Sequence, residues 1–110
     1  MATLNKVMFI GNLTHDPELR FVTSGDPVCN FTVAINYKKD KNKTVFVRVV
    51  AWNKLAELCN ERLAKSKQVF IEGRLSMFTF EDSEGKKRSN LYVVANNVQF
   101  LSPREDRASE

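Results

Sequence analysis

The chain has 110 residues, 43% hydrophobic and 27% charged, the size and mix of one self-supporting globular domain. Its formal net charge of +4 is compatible with a polyanionic partner but does not by itself require one. No run of about 18 apolar residues spans a membrane, one histidine and two separated cysteines are too few for a zinc site, and no phosphate-cradling loop or nucleophile–base pair points to catalysis.

The start, Met1-Ala2-Thr3-Leu4-Asn5-Lys6, has neither an apolar signal core nor an Arg-rich transit pattern, so a cytoplasmic protein is expected. In that compartment Cys29 and Cys59 are expected to be plain buried thiols, with a disulfide as the disfavoured alternative. Lys6 to Leu13 reads as a strand with apolar residues on both faces, and therefore as one covered on both sides. Gly11 within it marks a bulge or bend. Thr14-His15-Asp16-Pro17 breaks the pattern, after which Leu19 to Phe21 resumes it. No function attaches to the lone His15.

Thr23-Ser24-Gly25-Asp26-Pro27 is a turn cluster. Val28 to Tyr37 then alternates, with Phe31, Val33 and Ile35 on one face and Asn30, Thr32, Ala34 and Asn36 on the other. A basic hairpin loop, Lys38 to Lys43, leads into a strand over Thr44 to Trp52. The period changes over Asn53 to Ala64. Leu55, Leu58, Cys59 and Arg62/Leu63 follow helical spacing, with Asn53 as the expected N-cap. Val69 to Phe80 is a long strand interrupted by Gly73, and Asp82 to Lys87 is a turn. Two short strands follow, Asn90 to Val94 and Val98 to Leu101. One helix between the third and fourth strands of an otherwise all-β chain is the order of an OB-fold, a five-stranded Greek-key barrel with extended hairpins. The domain is expected over 1–102, with a polar, disordered tail over 103–110.

Parity within the strands carries the functional signal. Phe46, Arg48, Val50 and Trp52 share one face of their strand, while Val45, Val47, Val49 and Ala51 form a small aliphatic core face. In the next strand Phe70, Glu72, Arg74, Ser76, Phe78 and Phe80 share a face, opposite Val69, Ile71, Leu75 and Met77. Aromatics interleaved with cations suit single-stranded nucleic acid, because every base offers a π-face to stack on. Arg48 and Arg74 are candidates for phosphate pairing, as are Lys54 and the clusters Lys38, Lys39, Lys41, Lys43 and Lys86, Lys87, Arg88. Each feature has a plainer reading. Strand phenylalanines are usually core, Phe70 most of all, Trp52 sits where it can plug a barrel end, and Lys-rich loops are usually just solvated.

The blocks Asn5-Lys6-Val7 through Gly11-Asn12-Leu13, Asp16-Pro17-Glu18-Leu19-Arg20, Phe31-Thr32-Val33-Ala34, Arg48-Val49-Val50-Ala51-Trp52 with Lys54-Leu55-Ala56-Glu57, and Val69 through Leu75 occur in one order and spacing. In these the chain resembles the bacterial single-stranded DNA-binding proteins of replication, recombination and repair, from Leu4 to Leu101. The resemblance implies base stacking by Phe46, Trp52 and Phe80. Phe78 joins them by parity. A further family aromatic falls at Lys39 here, with Tyr37 two residues earlier as its substitute. The resemblance also implies a homotetramer, a dimer being the alternative, and no cofactor. The family's acidic tip, which recruits replication and repair proteins, has no counterpart in Arg107-Ala108-Ser109-Glu110. That role is expected only if a longer chain carries the tip. A competing reading makes the barrel an adaptor whose aromatics contact protein, as in primosome proteins that resemble this family.

Overall fold

The computed structural model describes residues 1–37 and 40–101, the side chains of 37 and 40–42 excepted. The elements are β1 (Val7–Leu13), β2 (Glu18–Phe21), β3 (Pro27–Tyr37), β4 (Asp40–Trp52), α1 (Asn53–Arg62), β5 (Gln68–Glu81) and β6 (Lys87–Phe100). The strands follow the order β1-β5-β6-β4-β3-β2, and β1 also pairs with β3, so five of them close into a ring with β2 outside it. Every pairing is antiparallel except β4 with β6, where Val49 faces Val93 and Val50 faces Val94. This is the expected OB-fold barrel, with β2 as the short resumption of the first strand.

Two glycines let the ring bend. A Cβ at Gly11 would collide with the carbonyl oxygen of Ala34 and the side chain of Val33, and one at Gly73 with the carbonyl of Val94. Gly11 lies where β1 turns from β5 to β3, and Gly73 lies at the register shift where Glu72 pairs with Asn97 but Gly73 with Ala95. Backbones approach there more closely than any side chain allows. Asn5 extends the β1–β5 ladder with its side-chain amide, Nδ2 donating to the Leu75 carbonyl at 2.9 Å and Oδ1 accepting from its N–H at 2.8 Å.

The core is built from alternate residues of the ring, among them Leu13, Phe31, Val33, Val49, Ala51, Val69, Ile71, Val93 and Val98. The helix presses Ala56 and Cys59 into the same core, mostly against β3, and Leu63 follows at its C-cap. Cys29 and Cys59 are free, fully buried thiols there, and burial pushes them up to about 11 and about 12.

Several expectations fail at the barrel's margins. Leu75 and Met77 share the parity of Ile71 but are 44% and 57% exposed, because beyond Leu75 the β5–β6 hairpin leaves the barrel and has no core beneath it. Val45 is exposed for the same reason on the β3–β4 hairpin, and Met8 and Ile10 show that β1 is covered on one side only. Phe70 lies half-buried on the outer face opposite Gln99 rather than in the core. Asn53 is not the N-cap. Trp52 holds that position with extended backbone, and Asn53 begins the helix at φ 58°, in a left-handed region that Asn tolerates. The helix ends at Arg62, and the two expected last strands are one strand with a bulge. The expected tail over 103–110 lies outside the described residues.

Candidate nucleic-acid interface

Closure of the ring joins the outer faces of four strands into one surface. On β3 and β4, Val28 faces Trp52, Asn30 faces Val50, Thr32 faces Arg48 and Ala34 faces Phe46. The parallel β4–β6 pairing sets Val94 beside Val50. From there the β5–β6 ladder continues outward with Arg74 opposite Val94, Ser76 opposite Tyr92, Phe78 opposite Asn90 and Phe80 opposite Arg88. Residues from four separate sequence segments therefore meet on one face.

The aromatic members of that face are out in solvent. Phe46 is 66% exposed, Trp52 42%, Phe80 40% and Phe78 38%, which removes the core reading for all four. Phe78 is the hub of a small cluster, its ring centroid 5.8 Å from Phe80 and 5.9 Å from Tyr92, both tilted. A cleft of about 300 Å³ opens beside it, lined by Val28, Asn30, Arg48, Val50, Trp52, Phe78 and Tyr92. Next to it, sharing Asn30 and Arg48, a polar groove of about 480 Å³ runs past Thr32 and Phe31 to His15, Asp16, Glu18 and Arg20.

The cations divide by whether they are already engaged. Arg48 and Arg74 are exposed on the aromatic face, and among the described residues neither makes an ion pair or hydrogen bond. Lys43, Lys86 and Lys87 are exposed on the hairpins; Lys43 lines a shallow apolar recess with Ile35, Asn36 and Val45. Arg88 is held by Asp82, Nε to Oδ2 at 2.9 Å, and Asp82 also accepts the backbone N–H groups of Glu84 and Lys86. Arg88 and then the Lys86 N–H keep the Asp82 carboxyl below the usual aspartate range, so Arg88 serves first to shape its turn. Lys54 lines a different cleft, with Leu55, Leu58 and Asn96 and no aromatic residue. Lys38 and Lys39 lie outside the described residues, as do the side chains of Tyr37 and Lys41.

Sequence reasoning missed Tyr92, Asn30 and Val28. Tyr92 stands in an alternating stretch, Asn90-Leu91-Tyr92-Val93-Val94, whose outward parity became readable only with the register to Ser76. Asn30 was on the polar face of its strand but had no visible neighbour until β3 and β4 paired.

The single-strand binding protein family matches residues 4–101, nearly the whole described length. The chain belongs to this family. It is 38% identical over 117 aligned positions to Single-stranded DNA-binding protein 2 of Chlorobaculum tepidum, covering all of this chain and 79% of that protein. Similarity to the Single-stranded DNA-binding protein of Caldanaerobacter subterraneus is 39% over 105 positions, covering 92% and 70%. The protein of that name from Thermotoga maritima is 39% identical over 107 positions, covering 92% of this chain and 76% of its own. A family defined by single-strand binding and a face of solvent-exposed rings among unpaired arginines thus coincide in one chain.

Proposed function

We propose that this protein binds and protects single-stranded DNA during replication, recombination and repair, with little sequence preference. The observation that carries the reading is the exposed aromatic face of β4, β5 and β6 with Arg48 and Arg74 set into it. Trp52, Phe46, Phe80 and Phe78 stack bases, each worth roughly 1–3 kcal/mol. Tyr37, at the end of β3 beside the turn into β4, adds a further platform. Arg48 and Arg74 take phosphates on the face, Lys38, Lys39, Lys41, Lys43, Lys86 and Lys87 take them along the hairpins, and Lys54 and Arg88 contribute at the edges. The binding domain spans 1–102. Binding is the whole activity, with no catalytic step, and takes place in the bacterial cytoplasm on the nucleoid.

Self-association completes the reading. Met8 and Ile10 are exposed on the outer face of β1, and Ile10 pairs with the half-buried Phe70 on β5. Burying such a patch between copies is favourable at about 25 cal/mol per Å², and a homotetramer, or a dimer, is the assembly we assign. Replication and repair proteins join only through an acidic tip on a longer chain. Titration with a thymidine oligomer tests the reading against the protein-adaptor alternative: tight, salt-sensitive binding supports it, and very weak DNA binding beside a tightly bound protein partner overturns it.

A further inference from the structure

We propose that the cleft lined by Trp52, Phe78 and Tyr92 is a pyrimidine-reading subsite, where Asn30 and Arg48 hydrogen-bond the Watson–Crick edge of one base held against the rings. This rests on the strand-binding reading of the face but adds what tolerant stacking lacks, a polar reader at one nucleotide position. The cleft, about 300 Å³, has an apolar lining from Val28 and Val50, both nearly buried, with the three rings beside them. Ring walls suit the faces of a base. Apart from the tyrosine hydroxyl and the indole N–H of Trp52, the polar groups of the lining are those of Asn30 and Arg48.

Their placement is specific. Asn30 pairs with Val50 and Thr32 with Arg48, so Asn30 and Arg48 are diagonal neighbours on the same face of adjacent strands. At such positions long side chains meet. Among the described residues neither is engaged by another protein group. A stacking platform alone needs no amide, and a phosphate site gains nothing from an amide oxygen.

The selectivity follows from donor and acceptor patterns. The Asn30 amide offers one donor and one acceptor side by side, and by turning over it matches N3 and N4 of cytosine or N3 and O4 of thymine. It matches the adenine and guanine edges equally well, so Asn30 alone selects nothing. Arg48 supplies only donors. At the third edge position both pyrimidines present the O2 acceptor, guanine presents the N2 amino donor, and adenine a C–H. Arg48 is therefore satisfied by either pyrimidine, opposed by guanine and left unmet by adenine.

The full chain is titrated with oligomers of thymidine, cytidine, adenosine and 3-methylthymidine, in which a methyl group replaces the N3–H. The protein binds the thymidine oligomer about fivefold more tightly than the methylated one, the effect of one net hydrogen bond. Asn30→Ala closes that gap and weakens thymidine, cytidine and adenosine binding, whereas Arg48→Met weakens thymidine and cytidine binding more than adenosine binding. Tyr92→Leu weakens all four alike, because it removes a ring and no edge contact. Equal affinity of the unaltered protein for thymidine and 3-methylthymidine overturns the subsite whether or not Asn30→Ala folds. So does an Asn30→Ala protein that keeps the gap, or an Arg48→Met protein whose preference for thymidine over adenosine is unchanged. Binding of all four oligomers alike refutes the subsite alone, whereas binding of none refutes the strand-binding reading beneath it.

Discussion

Trp52 ends β4 and holds the N-cap position of α1, so its backbone is fixed by two elements while 42% of the residue remains in water. A large ring kept exposed on a rigid edge is ready to stack without first giving up conformational freedom. Trp52→Ala or Phe46→Ala should weaken single-strand affinity by roughly 1–3 kcal/mol; equal affinity of variant and parent would contradict stacking at that ring. Asp82 offers a check on the hairpin that carries Phe78 and Phe80. Arg88 and the turn N–H groups favour its ionised form, so its folded pKa lies below the unfolded one. The stabilisation of the turn is thus present at neutral pH and lost as pH falls through that lowered value. A carboxyl chemical-shift titration should place the Asp82 midpoint below the ordinary aspartate range, and Arg88→Ala should bring it back up. A normal midpoint in the parent would show that the Arg88 contact does not form in solution.

Each strand's alternation of apolar and polar residues was readable wherever the barrel lay beneath it. Val47, Val49 and Ala51 on β4, and Val69 and Ile71 on β5, point inward as their parity says. The same parity misled at Val45, Leu75 and Met77, since a strand's pattern does not record where its partner strands stop. The start of α1 was displaced by one residue because Asn53 takes the left-handed conformation that an N-cap does not. Both barrel glycines were visible as interruptions, although the reason, a carbonyl occupying the Cβ position, belongs to the pairing strand. Gly73→Ala should therefore destabilise the fold by about 1–3 kcal/mol or more, measured by denaturant unfolding. A variant as stable as the parent would mean that β5 and β6 separate there in solution.

The stacking residues Phe46, Trp52 and Phe80 were legible as a set because they share parity with cations. Tyr92 and Asn30 were not, because they join the face only when β6 meets β4 and β3 meets β4. At the scale of the whole chain a modest net charge of +4 says little. Its distribution says more: Arg48 and Arg74 lie unpaired among the rings, while Lys6 and Arg20 are committed to Glu72 and Glu18. Counterion release should make affinity for a single strand fall linearly with the logarithm of salt concentration. The buried thiols Cys29 and Cys59 should stay unreactive toward a thiol reagent until the barrel unfolds, given full burial and raised pKa values.

Trp52 is the chain's single tryptophan, so its emission reports directly on the face where we place the DNA. A thymidine oligomer titrated into the protein should quench that emission at a defined stoichiometry, and duplex DNA of the same length should bind far more weakly. Unchanged emission with no binding of the oligomer, or duplex binding of equal strength, would contradict the assignment of this barrel as a single-strand binder.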